Sequence, residues 1–178
     1  MYKEYVVHPR YGDKPMYSGN NYSRDEIINS FWSYRRDKIF QETAIPANIS
    51  NQNYSICPRK LYVDIEKSCR QCKRPFLFFA MEQKYWYEDL HFYVDADCVK
   101  CVECRKKEQS IKFLMIEYEN LLKNNDRTNE QTKRLKQVAL KLFQVGYITN
   151  ENKVNQIVSQ RVQPNKVPGT RRLCRSYR

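Results

Sequence analysis

Cys69-Arg-Gln-Cys72, a gap of twenty-eight residues, then Cys101-Val-Glu-Cys104: this stretch decides how the chain is read. A Cys-x-x-Cys turn aims two sulfurs at one point, and two such turns facing each other supply the four thiolates of a tetrahedral zinc ion. Four good donors leave no position open for water or substrate, so the spacing predicts a structural ion and not a catalytic one. The other reading, a disulfide framework, fits an oxidising compartment; seven cysteines, four of them in metal spacing, fit a reducing cytoplasm better. Cys98-Val-Lys-Cys101 is a further Cys-x-x-Cys, so spacing alone leaves Cys98/Cys101 and Cys101/Cys104 both open as the second pair. Cys57 stands apart and reads as a lone thiol.

Outward from the cysteines, Leu61-Tyr-Val-Asp-Ile65 alternates as a strand would, and Pro75-Phe-Leu-Phe-Phe79 reads as a buried strand. Ala80–Leu90 is helical in composition, with Met81, Tyr85, Trp86 and Leu90 on one apolar face, and His91–Val94 returns as a short extended segment. These aromatics read as core over the metal turns; the competing reading is a base-stacking platform of Tyr85, Trp86, Tyr87, Phe92 and Tyr93. Upstream, residues 1–22 are rich in turn formers and read as an arm packed over a hydrophobic surface. Ser23-Arg-Asp-Glu26 is a capping box opening a helix whose stripe is Ile27, Ile28, Phe31, Tyr34 and Ile39, and residues 43–60 read as a loop.

Downstream, Ile111, Leu114, Met115, Tyr118, Leu121 and Leu122 predict a helix from about Lys107 to Asn124-Asn125. Thr128-Asn-Glu-Gln131 caps a second, with Leu135, Val138, Ala139, Leu142, Phe143 and Val145 on its stripe and Gly146 at its end. The short connection makes the two an αα-hairpin, and a third helix is expected over about 151–161. The expected architecture is α+β: a small zinc ribbon with short strands, flanked by an N-terminal helix and a C-terminal αα-hairpin plus a third short helix. Its parts would be an arm, helix and loop over 1–60, the ribbon over 61–107, the helices over 108–163, and a basic tail over 164–178.

The net charge of +12 favours acidic partners, although six of the basic residues lie between Arg161 and Arg178, where no acidic one occurs. Around the cysteines stand Arg70, Lys73, Arg74, Lys100, Arg105, Lys106 and Lys107, the candidates for phosphate contact with RNA or single-stranded DNA. The alternative is a protein-protein interaction module, such as a regulatory adaptor or a toxin-neutralising (immunity-type) protein. Catalysis is not expected. Two histidines lack a neighbour that would make a triad, four glycines allow no phosphate loop or dinucleotide fingerprint, and Glu82, Glu88 and Asp89 read as solvated or capping. No small-molecule substrate suggests itself, no apolar run approaches a membrane span, and Met1-Tyr-Lys-Glu-Tyr5 lacks the apolar core of a signal peptide.

Taken together, Cys69-x-x-Cys72, Phe76, Phe78, Ala80, Glu82-Gln83, Tyr85 or Tyr87, and Cys101-x-x-Cys104-Arg105 resemble a family of small bacterial domains, the probable zinc-ribbon domain. The resemblance covers about 62–107. It implies a fold held by Zn2+ on Cys69, Cys72, Cys101 and Cys104, with Cys98 as an extra thiol, and it implies no particular activity. Lys73 stands where members often carry glycine, which bears on the conformation of the first knuckle.

Overall fold

Five consecutive buried residues, Leu61–Ile65, form the start of a strand covered on both faces, the middle one of its sheet. In the computed structural model, which describes residues 4–157, the sheet consists of β1 (Lys38–Pro46), β2 (Leu61–Ser68) and β3 (Pro75–Phe78), in that order and antiparallel throughout. β2 and β3 pair from Ile65↔Phe78 to Ser68↔Pro75, so the hairpin between them carries the first cysteine pair. β1 pairs with β2 from Lys38↔Glu66 to Phe40↔Asp64, bulges, and resumes at Ile45↔Tyr62. Thr43 fills the bulge. Its hydroxyl donates to the Phe40 carbonyl at 2.6 Å and accepts the Asp64 amide at 2.8 Å, replacing ladder bonds the extra residues remove.

The helix α1 (Arg24–Ser30) opens with the expected capping box between Ser23 and Glu26, but it is shorter than its apolar stripe suggests. Phe31 is extended at φ −159°, a 3₁₀ turn covers Trp32–Arg35, and the chain then enters β1. Ile27, Phe31, Tyr34 and Ile39 all reach the core, Ile39 from a strand. Pairing with β2 overrides the helical period there, and residues 43–46, expected in a loop, complete the same strand. The arm packs as expected at its start: Val6 is buried and its amide bonds the Pro75 carbonyl at 2.9 Å, extending the β3 edge. Val7 and Tyr17 remain exposed.

After β3, α2 (Ala80–Lys84) runs into a π-helical turn, Tyr85–Asp89, where the Leu90 amide reaches back to the Tyr85 carbonyl. The buried face of this segment is not the apolar one. Met81, Tyr85 and Leu90 are exposed, while Glu82, Gln83, Tyr87 and Glu88 are buried. Gln83 explains the inversion: its amide donates to the Val63 and Phe78 carbonyls at 2.7 and 3.0 Å and its oxygen accepts from Tyr34 Oη at 3.3 Å. Glu88 accepts the Asn48 amide at 2.7 Å and pairs with Lys84 at 2.9 Å, so it is a buried, bonded carboxylate and not a solvated one. The segment expected to be extended at His91–Val94 contributes only a bridge between Asn53 and Tyr93, and His91 itself lies at φ +52°.

Buried Asp64 ties the arm and α2 to the sheet, accepting the Ala80 and Met16 amides at 2.6 and 2.8 Å. Burial nonetheless pushes its carboxyl up to about 6, the two amides pulling the other way.

The chain divides into two compact units at Ser110/Ile111, a boundary lying within α3 (Val102–Lys123). In the second unit, α4 (Asn129–Gln144) starts on the Thr128 capping box and buries Leu135, Val138, Ala139 and Leu142. It ends as a Schellman motif: Gly146 sits at φ +78°, with its amide on the Phe143 carbonyl and the Tyr147 amide on that of Leu142. Arg127 closes the end of α3 by donating to the carbonyls of Leu121, Leu122 and Asn124, and Arg134 forks onto Glu117 at 2.6 and 2.8 Å. That pair sets α4 beside the end of α3, as the short connection predicts. α5 (Glu151–Asn155) buries Val154; the expected continuation of this helix beyond 157 and the basic tail lie outside the described residues. No described helix is long and apolar enough to cross a membrane.

Candidate metal centre

The β2–β3 hairpin turns at Cys69–Arg74. There the Cys69 amide bonds the Arg74 carbonyl at 3.0 Å, and the Lys73 amide bonds the Cys69 carbonyl at 2.9 Å. Lys73 lies at φ +63°, a left-handed position in which glycine is unstrained; the lysine found there is held by the turn around it. The second pair is placed differently. Cys101 precedes α3 and Cys104 lies in its first turn, with the Arg105 amide on the Cys101 carbonyl at 3.0 Å. A knuckle on a hairpin therefore faces a helix start. Val99 and Cys101 bind the two together: the Arg70 amide donates to the Val99 carbonyl at 2.9 Å, and the Cys101 amide donates to Cys69 Sγ at 3.3 Å.

The sulfurs of Cys69, Cys72, Cys101 and Cys104 all lie within 4.8 Å of one another. An ion about 2.3 Å from each of four sulfurs sets tetrahedron edges of about 3.8 Å, and Cys72 Sγ stands 3.8 Å from Cys101 Sγ. The quartet thus has the donors and the span of a tetrathiolate metal site. Cys98 is buried but outside it, its thiol donating to the Lys100 carbonyl at 3.4 Å, and exposed Cys57 is not part of it either.

Acidity differs between the two pairs. Burial raises Cys69, but the amides of Cys72, Cys101 and Gln71 outweigh it and bring the thiol down to about 6; the Arg74 amide lowers Cys72. Burial raises Cys101 and pushes Cys104 up to about 12, where the neighbouring thiols add to the effect. The amides around the hairpin turn thus favour the thiolate form of the first pair, and burial disfavours it in the second. A cation that displaces the thiol protons completes the set.

The seven basic candidates separate into two groups. Arg74 pairs with Glu103, Lys100 with Glu108 at 2.6 Å, and Arg105 with Glu82 at 2.6 Å. Arg70, Lys73, Lys106 and Lys107 are exposed and form no ion pair among the described residues. Residues 4–110 carry 17 basic and 15 acidic side chains, so any attraction for an anion there is local rather than global.

Of the aromatic residues after α2, Tyr87 is buried, Trp86 is half-buried between Phe78 and Phe92, and Tyr85, Phe92 and Tyr93 are exposed. Two further features were not legible. Buried Glu82 receives Arg105 and, at 3.5 Å, His8 Nε2 from the arm. Arg105 also lies 5.0 Å over the Trp86 ring. The Glu-Gln pair therefore has a structural meaning: Gln83 bonds strand carbonyls, and Glu82 grips the residue next to Cys104. The only sequence signal for the His8 contact is the histidine itself in a turn-rich arm.

Residues 63–112 match the model of a family described as a probable treble clef domain, a description with which a hairpin knuckle facing a helix start accords. The small cysteine-held domain expected from the sequence is thus present, with its second pair at the start of a helix. No curated protein and no solved structure matches the chain.

Proposed function

We propose that the chain is a non-catalytic module, stapled by zinc, that binds single-stranded nucleic acid, either RNA or single-stranded DNA. Zinc is the ion that four tetrahedral thiolates suit without redox chemistry, and a full thiolate set leaves no site for a reacting water. The observation that carries the binding reading is the four unpaired cations. Arg70 and Lys73 stand on the hairpin knuckle and Lys106 and Lys107 on the first turns of α3, all within a few residues of ligands to one ion. Arg74, Lys100 and Arg105 already have carboxylate partners, which leaves these four of the seven cations near the cysteines for phosphate.

Fluorescence anisotropy with a labelled single-stranded oligonucleotide tests it. Four phosphate contacts on a single strand give a log–log salt slope near −3, so affinity falls roughly fifty-fold between 50 and 200 mM salt. Replacing Arg70, Lys73, Lys106 and Lys107 together by glutamate removes that binding while zinc content is kept. Zinc-loaded, folded protein that ignores oligonucleotides at low salt defeats the reading.

One observation favours the second reading, a protein-interaction module: Trp32, Tyr54 and Ile56 are exposed on the metal-bearing unit, Ile56 at 87 %. Isolated exposed apolar residues are ordinary. A stoichiometric protein partner that survives high-salt washing would put this reading ahead.

A further inference from the structure

The N-terminal arm, the α2 segment and the first turns of α3 enclose a concavity of about 330 Å³, within the range of small-ligand sites. Its exposed cations are Arg10 and Lys106, and its aromatic lining is Tyr11, Tyr85 and Trp86. The Arg10 guanidinium lies 5.9 Å from the Tyr11 ring centroid and 5.6 Å from that of Tyr85. Deeper in the lining are Glu82, 4 % exposed, and Arg105.

Glu82 and Arg105 do not satisfy each other completely. Glu82 Oε1 takes Arg105 Nη2 and faces His8, while Glu82 Oε2 and Arg105 Nε are both buried without a hydrogen-bond partner. Buried polar groups in folded proteins are overwhelmingly bonded, so an orphan acceptor and an orphan donor on one pair of side chains call for a group that supplies both complements. His8 does not supply it. Its Nδ1 accepts the Arg10 and Tyr11 amides at 3.2 and 3.3 Å, which leaves the ring proton on Nε2, already turned to Glu82 Oε1.

A ligand for this lining needs three properties: negative charge for Arg10 and Lys106, a flat π-system for the aromatic walls, and an edge with an N–H donor beside an acceptor. A nucleotide has all three, whereas an acidic peptide lacks the plane and a free phosphate lacks both plane and edge. Resting on the single-strand reading above, we propose that the concavity is a subsite for one nucleotide of the bound strand. The phosphate is held by Arg10 and Lys106 and the base stacks on exposed Tyr85 beside Trp86; a small shift of the lining then opens Glu82 Oε2, as acceptor, and Arg105 Nε, as donor, to its edge.

The test titrates the zinc-loaded full chain with adenosine and cytidine 5′-monophosphates, inorganic phosphate, adenosine, and a phosphoserine peptide. Trp86 fluorescence reports binding in a Trp32→Phe background. The expected result is saturable binding of one nucleoside monophosphate per chain, at least tenfold tighter than phosphate or adenosine alone. Arg10→Ala and Tyr85→Ala, both at exposed positions, should each weaken it about tenfold or more with zinc content and circular dichroism unchanged. Glu82→Gln should reorder affinities among the monophosphates; if that variant does not fold, the two surface variants decide. Equal affinity for phosphate and nucleotide, tighter binding of the phosphopeptide, or indifference to Arg10→Ala and Tyr85→Ala each overturn the subsite. Oligonucleotide binding that persists without mononucleotide binding refutes the subsite and leaves the wider function standing; loss of both refutes both.

Discussion

Removing the ion should loosen the metal-bearing unit by an amount that can be bounded. An ion on the quartet would join Cys72 to Cys101 across twenty-eight intervening residues. A cross-link closing a loop of about thirty residues restricts the unfolded chain by roughly 3 to 4 kcal/mol. Structural zinc in small fingers is worth about 10 to 16 kcal/mol in all, against a total domain stability of about 5 to 15. Even the lower figure should depress the melting temperature by about 10 °C or more in a unit of this size. The loss should be uneven. Tyr34, Tyr62, Val63, Ile65 and Phe78 are buried among sheet and helix residues that need no ion, whereas residues 69–74 and 98–107 meet through the quartet, the Arg70–Val99 backbone bond, the Cys101 amide on Cys69 Sγ and the Arg74–Glu103 pair. Chelation followed by hydrogen-exchange mass spectrometry should therefore strip protection from 69–74 and 98–107 first, and leave 61–66 and 135–142 slower to exchange. Unchanged exchange at the knuckles after complete metal removal would refute the reasoning, because the ion would then contribute nothing to holding them.

Cys98→Ser should keep one metal per chain by elemental mass spectrometry and Cys104→Ser should lose it; the reverse would move the fourth ligand. Gln83→Leu removes bonds to two buried carbonyls and a tyrosine hydroxyl, and should cost about 3 kcal/mol or more in urea denaturation; a loss below about 1 would mean the carbonyls find other partners. Asp64 has a folded-state value raised to about 6, so its protonated form favours the fold: that contribution is complete below about 3.9 and lost as pH rises through 6, about 3 kcal/mol in total. A carboxyl carbon that titrates near 4 in NMR would contradict it. Lys73→Gly relieves a left-handed backbone and should stabilise the metal-bound protein by about 1 kcal/mol; a destabilised variant would show that the lysine side chain holds the turn.

The metal quartet was legible because its information is local: two short spacings carry it. Its setting was less so. Val102–Ser110 is dominated by charged and polar helix formers, so an apolar stripe first appears at Ile111, and the helix that presents Cys104 starts nine residues before the period announces it. β1 was hidden for a related reason. Ile39 lies at a spacing from Phe31 and Tyr34 that suits a helix, and only pairing with β2, more than twenty residues on, selects a strand. The inversion of α2 could not be read from its own sequence. What makes Glu82, Gln83 and Glu88 acceptable inside are Arg105, two strand carbonyls and the Asn48 amide, all supplied by other segments.

Arg59 gives the molecule a joint of unusual resistance. Its guanidinium is buried between Phe31 and Tyr87, 4.0 and 4.7 Å from their centroids, and donates to the Val94 carbonyl at 2.9 Å. No carboxylate pairs with it among the described residues, so acidification has nothing there to discharge and concentrated electrolyte has no ion pair to weaken. Three separate stretches of chain meet at this cation through ring quadrupoles and a peptide oxygen, neither of which titrates. In acid strong enough to empty the thiolate cage, this joint should still be shut, making it the last hinge of the metal-bearing unit to open.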